Sequence, residues 1–174
     1  MMRTVTVAAL AMLASTSLSA QDDAPAPPAE SRGWFSRVFH RSNSPPNYKD
    51  PRLKGLTLEL ELSPLPVKLG EVRQLHINAT LTNRGRRPVS LDFMTAQRIE
   101  IQLVNAAGEV LTKFSENHAF AEELTTVLIN PQERVQYVET IATRELEPNK
   151  VYTAEVFFPA YPELRVQQKF LTAP

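Results

Sequence analysis

The chain of 174 residues contains no cysteine, five glycines, three histidines and one tryptophan. Each scarcity removes a class of chemistry. Without cysteine there is no thiol nucleophile, thiolate zinc site, redox pair, disulfide or lipid-modified N-terminal cysteine. The glycines, at 33, 55, 70, 85 and 108, stand apart from one another, so no glycine-rich phosphate loop exists. Net charge is zero, from 19 basic and 19 acidic residues scattered through the chain. No basic stripe forms, which argues against a nucleic-acid partner.

Catalytic constellations are equally thin. His40 falls in a linker, His76 on the outward register of a strand and His118 in a crossover, so nothing brings two together as metal ligands. Ser115, Glu116 and His118 are neighbours in sequence, but no strand–turn–helix elbow frames the serine as a nucleophile. Glu59 and Glu61 share the outer face of a strand, where carboxylates are ordinarily solvated. The expectation is a non-enzymatic protein with no catalytic residue, metal or cofactor.

What is present begins with an export signal. Arg3 supplies a positive start, Val5 to Leu13 is apolar, and Ser17 to Ala20 is a small, polar exit. Residues 1–20 therefore read as a signal peptide and imply a periplasmic or secreted location. The alternative is a retained anchor, for which the apolar stretch is short.

Residues 21–55 hold six prolines and many small polar residues, the composition of a disordered, Pro-rich stem. Within it, residues 33–41 concentrate Trp34, Phe35, Val38 and Phe39 among Arg32, Arg37 and Arg41. In helical form the apolar residues share one face, which suits a membrane surface or a groove on a protein partner. Docking onto the folded domain and a plain linker are the other readings.

From Leu56 onward the apolar period is two. Leu56, Leu58, Leu60 and Leu62 alternate with Thr57, Glu59 and Glu61, the pattern of a half-buried strand. Leu75, Ile77, Ala79 and Leu81 repeat it, and Val89, Leu91 and Phe93 open another strand after the Asn83-Arg84-Gly85 turn. In that turn Gly85 is the residue suited to positive φ. Ile99, Ile101 and Leu103 lead into the hairpin loop Asn105-Ala106-Ala107-Gly108. Later strands are expected over 134–141, 151–158 and 164–170, and a helical turn over 116–123. Seven or eight strands at this spacing predict that residues 56–174 form an all-β domain. The preferred architecture is an immunoglobulin-like sandwich of two antiparallel sheets, with a closed barrel second.

The stretch from Leu75 to Phe158 resembles the BsuPI family of intracellular proteinase inhibitors. The residues that carry the resemblance are Ala79-Thr80-Leu81-Thr82-Asn83, Pro88 to Phe93, Ile99 to Leu103, Gly108 to Leu111, Phe114-Ser115 and Phe120. Asn130-Pro131-Gln132-Glu133 and Leu146 to Tyr152 complete the series. This chain carries Gln132 and Asn149 where the family tends to glycine, and lacks the tryptophans the family often has near Lys113 and Thr140. The resemblance implies core roles for Phe93, Phe114 and Phe120 and turn roles for Pro131 and Pro148.

Two functions compete. One is a non-enzymatic, exported interaction module of the cell envelope, whose stem contacts a protein or a membrane through Trp34, Phe35 and Phe39. The other, which the resemblance implies, is an inhibitor that blocks a serine protease by inserting a loop or an edge strand. Residues 115–126 and 143–150 are the candidate segments, and Arg144 the candidate for a pocket that takes a basic side chain.

Overall fold

The structure, a computed structural model, describes residues 47–174. The expected signal peptide and the segment 33–41, with Trp34, Phe35 and Phe39, lie outside the described residues. Ten strands and two short 3-10 helices make up the rest. A three-stranded antiparallel sheet is formed by β1 (Leu56–Ser63), β3 (Gln74–Asn83) and β8 (Arg134–Ala142), with β3 in the middle. A five-stranded sheet runs in the order β2 (Val67–Lys68), β10 (Tyr161–Ala173), β9 (Val151–Phe158), β5 (Glu100–Val104) and β6 (Val110–Lys113). The remaining two, β4 (Val89–Thr95) and β7 (Glu122–Ile129), pair only with each other.

The period-two pattern is realised as written. Leu56, Leu60, Ile77, Ala79 and Leu81 are buried, while His76 points outward. They share one core with Ile101, Leu103, Ala154, Val156, Phe158, Leu164 and Phe170. Burial of a leucine-sized side chain contributes roughly 1.5–3 kcal/mol. Tyr137 of β8 meets Phe158 of β9 edge to face at 5.4 Å, joining the three-stranded sheet to the five-stranded one. Inside the expected stem, Leu53 is buried and Tyr48 packs on the core, so the packed chain begins before Leu56.

The expected two-sheet antiparallel sandwich needs correction. The domain is all-β, but its strands divide among three sheets, and β2 joins β10 in parallel. The physical reason lies at Asn83. Strand β3 pairs with β8 up to Thr82 opposite Arg134, and the ladder resumes with Val89 opposite Ile129 in β4 and β7. Residues 84–88 and 130–133 fill the gap and interrupt the ladder. Asn83, fully buried, holds the corner: its amide donates to the carbonyls of Arg87 and Ile129, both at 2.9 Å, and its Oδ1 accepts from Gly85 N at 2.9 Å. Its backbone N–H donates to Glu133 O and its carbonyl accepts from Gln132 N. A buried amide so fully bonded is tolerated where an unbonded one is not.

Gly85 serves closeness rather than positive φ. A Cβ at Gly55 would stand 3.0 Å from the Gly85 backbone, and one at Gly85 would stand 3.0 Å from Asn83 Oδ1. Positive φ is found instead at Gly55 and Gly108 and, among non-glycine residues, at Gln132 (66°) and Asn149 (58°). The last two are the positions where the family tends to glycine. Both follow a proline, the arrangement of a type II turn, in which proline is second and the third residue takes positive φ.

Candidate protein-contact site

Residues 143–150 connect β8 to β9 across the two larger sheets. Pro148 interrupts the strand register, and the backbone is then tied down by side chains from elsewhere in the fold. Thr143, buried, donates its hydroxyl to Val72 O at 2.8 Å while its N–H bonds to Arg73 O. Leu146 is buried and its N–H returns to Thr143 O. Glu147 N donates to the Tyr152 hydroxyl at 2.9 Å. The buried Thr172 hydroxyl donates to Glu147 O at 2.7 Å and accepts from Lys150 N at 3.0 Å. Asn149 N completes the set on Thr172 O.

With its backbone so held, the loop turns Arg144 outward. That side chain is 72% exposed and its Nε stands 3.3 Å from the neighbouring Glu145 carboxylate. An exposed pair of this kind contributes little to stability and exchanges readily for another carboxylate. Beside the loop, a cleft of about 500 Å³ is lined by Asn105, Glu109, Glu145, Glu147, Lys150 and Tyr152, among others. Its far wall is the β5–β6 hairpin. There Asn105 Oδ1 accepts from Ala107 N and Glu109 N, both at 2.9 Å, and Gly108 has φ +85°. The site is a stiff platform carrying a guanidinium, a group that bonds a carboxylate through two parallel N–H donors.

The other expected segment behaves differently. Residues 114–117 form a 3-10 helix, and β7 begins at Glu122, so the predicted helical turn is shorter and earlier than expected. Phe114 stacks on His118 at 4.0 Å between centroids, and Phe120 lies 6.1 Å from both rings. His118 Nδ1 bonds Phe114 O at 2.8 Å, and the His118 backbone N–H donates to Ser115 O. The imidazole is thus engaged by the Phe114 backbone rather than by the Ser115 hydroxyl. Glu100, buried, accepts from Ser115 N at 3.1 Å, from Ile101 N at 3.1 Å and from Gln97 Nε2 at 3.1 Å, which anchors the crossover to β5.

Glu59, Glu61 and Glu155 are each engaged by a neighbouring side chain. Glu59 pairs with Arg84 at 3.5 Å, and Glu61 accepts from Asn78 at 3.4 Å. Glu155, almost buried, accepts from Arg165 at 2.9 Å and from Gln167 at 3.1 Å, and the Arg165 guanidinium also covers the Phe157 ring at 5.3 Å. Among the described residues no cluster of three His, Asp or Glu could hold a metal ion, and no helix is long and apolar enough to cross a membrane.

A family model described as BsuPI, intracellular proteinase inhibitor, matches residues 65–163, more than half of the chain. The chain belongs to the BsuPI family. Both the braced loop 143–150 and the crossover fall inside the matched region. Membership in an inhibitor family accords with a protein that works by binding rather than by catalysis. The expected periplasmic or secreted location is corrected by the same match, because the family is described as intracellular. No curated protein matches the chain.

Among solved structures, a β-glucosidase from Listeria innocua in complex with glucose is similar at 13% identity, with a TM-score of 0.40. The likeness covers 68% of this chain and 16% of that one. β-Glucosidase 3B from Thermotoga neapolitana in complex with α-D-glucose is similar at 16% identity and TM-score 0.35, over 66% of this chain and 15% of that one. The X-ray structure of Northeast Structural Genomics Consortium target SoR45 is similar at 15% identity and TM-score 0.35, over 70% of this chain and 88% of that one. The chain thus spans about one sixth of the β-glucosidases' length. Nothing of their activity transfers to it.

Proposed function

We propose that this protein inhibits a serine protease by presenting residues 143–150 to its cleft, with Arg144 filling a pocket that accepts a basic side chain. The observation that carries this reading is the contrast within the loop: Thr143 ties it to Val72 and Arg73 and its backbone is anchored to Tyr152 and Thr172, while Arg144 is 72% exposed. A loop ordered before binding loses little further conformational freedom, so its contacts are expressed as affinity. The anchors also hold both ends of the loop together if one peptide bond is cut, which favours resealing over release. Family membership supports inhibition over a general interaction module. The contact of the three- and five-stranded sheets through Tyr137 and Phe158 supports reading the fold as a departure from an immunoglobulin-like sandwich, with β4 and β7 paired separately.

The test is inhibition of serine proteases that cleave after basic, aromatic or small residues, by the full chain at rising concentration. Stoichiometric inhibition of the first class is expected, with the inhibitor intact on gels. Arg144→Ala is expected to weaken it about 100-fold, equivalent to about 2.7 kcal/mol, and Arg144→Lys to retain part of it. Inhibition that is absent, or unchanged in Arg144→Ala, refutes the reading.

A further inference from the structure

The β4–β7 ribbon leaves one edge of a sheet open. Strand β4 is closed on its far side by Tyr161, whose hydroxyl accepts from Asp92 N at 2.7 Å and donates to Asp92 O at 3.2 Å. Because Asp92 bonds Tyr161 with its backbone, the opposed pair Asp92–Thr126 is one whose amide groups point away from each other. By the alternation of an antiparallel ladder, Thr126 and Leu128 then direct their N–H and C=O groups to the outer edge of β7, and Leu124 lies at the register shift that follows Phe93–Thr125. Among the described residues no strand other than β4 pairs with β7.

The same three residues carry the outward side chains. Leu124 is 72% and Leu128 53% exposed, beside Met94 at 73%. From Leu124 to Ile129 the strand has no charge and no proline, the two devices that ordinarily protect an open edge. Charges stand only at its start, Glu122 and Glu123, and the turn after Ile129 holds Asn130 and Pro131.

We propose that β7 pairs edge to edge with β7 of a second copy of this chain, antiparallel and centred on Thr126. A two-fold axis there sets Leu124 opposite the partner's Leu128 and Thr126 opposite the partner's Thr126. Each outward N–H meets a C=O, and the leucines cover one another on the outer face. The register is compatible in charge: Glu122 falls opposite the partner's Asn130, and no carboxylate meets a carboxylate. Thr126 is held in place, its hydroxyl donating to Asp92 at 2.7 Å. The result is a continuous four-stranded sheet, on a surface separate from Arg144, and it does not rest on the inhibitor reading.

The test is the mass of the full chain by sedimentation equilibrium from micromolar to near-millimolar concentration. The expected result is a reversible shift from one copy to two. The variant Leu124→Lys/Leu128→Lys sets like charges opposite each other across the axis and is expected to weaken association at least 100-fold. The variant Leu124→Glu/Leu128→Lys sets opposite charges there and is expected to recover it. Circular dichroism of both checks the fold, and Leu124→Ser/Leu128→Ser replaces either variant that fails to fold, with weakened association expected. A chain that is monomeric throughout overturns the proposal, as does equal association of the two charged variants. Dimerisation that appears only after residues 21–46 are deleted also overturns it, because the chain itself then covers the edge.

Discussion

Two connections between sheets solve the same problem in opposite ways. The crossover 114–121 is held by side chains: Phe114 is buried, His118 and Phe120 stack around it, and the Ser115 N–H is fastened to buried Glu100. The loop 143–150 is held by its backbone, bonded to Arg73 O and to the Tyr152 and Thr172 hydroxyls, and leaves Arg144 and Glu145 to solvent. The first relies on its aromatic rings for stability. The second buries Thr143 and Leu146 but takes most of its backbone anchors from outside the loop, so Arg144 and Glu145 are available for recognition. Rigidity alone does not mark a binding loop; which atoms supply the rigidity does.

The sharpest test of this contrast is Phe114→Ala. It is expected to destabilise the domain by about 3 kcal/mol, read by urea unfolding, through the loss of a buried ring and its stack. The folded variant should inhibit as well as the unmodified chain; weakened inhibition at equal folded fraction breaks the distinction. Next in size is Thr172→Val, which leaves Glu147 O and Lys150 N without their hydroxyl partner. A loss of roughly 1–3 kcal/mol is expected, and loop amides should exchange faster in hydrogen-exchange measurements. Inhibition should weaken about tenfold although Thr172 is buried and touches no protease.

A smaller effect distinguishes the two positive-φ turns. Gln132→Gly relieves a left-handed conformation that a long side chain resists, and is expected to stabilise by roughly 1 kcal/mol. Asn149→Gly should gain only a few tenths of that, because asparagine tolerates the region. Removal of the Asn149 side chain from the loop should leave inhibition unchanged, since its bond to Thr172 is made by the backbone. Equal gains at both positions in thermal unfolding argue against strain as the cause.

The least effect is expected at Tyr48, remote from both connections in its role. Burial, and then the nearby Glu163 charge, push its phenol up to about 12. The folded state therefore favours the neutral phenol. That contribution is complete below the unfolded value near 10 and is lost as pH rises towards 12. Tyr48→Phe should flatten the fall in stability over that window, measured by denaturation at stepped pH, and leave neutral-pH stability little changed.

How much could be read without coordinates varies by element, and the reasons are physical. Strand β1 was legible because one of its faces is buried and the other solvated, so leucine alternates with glutamate. Strand β7 was hidden. Its outward face carries Leu124 and Leu128 and its inward side Val127 and Ile129, so no alternation distinguishes the two. The packing of Leu53 was missed because prolines dominate its neighbourhood, although one apolar side chain beside Gly55 is enough to enter the core. Residues Trp34, Phe35 and Phe39 lie outside the described residues. Arg144 was identifiable as an exposed basic residue in a loop, but nothing local in the chain indicated that the loop is braced.

The amino-acid sequence by itself determined the β-class of this domain, most of its strands and core, its lack of cysteine chemistry and its family. Side-chain alternation is a local property, and turn chemistry is nearly so. Tertiary structure alone decided the division into three sheets, the close approach at Gly85, the bracing of residues 143–150 and the open edge of β7. Each of these depends on partners far away in sequence: Asn83 with Ile129, Thr172 with Glu147, and Tyr161 with Asp92. Hydrogen bonds over such separations leave no periodic trace in the chain; they exist only once the sheets have brought their ends together.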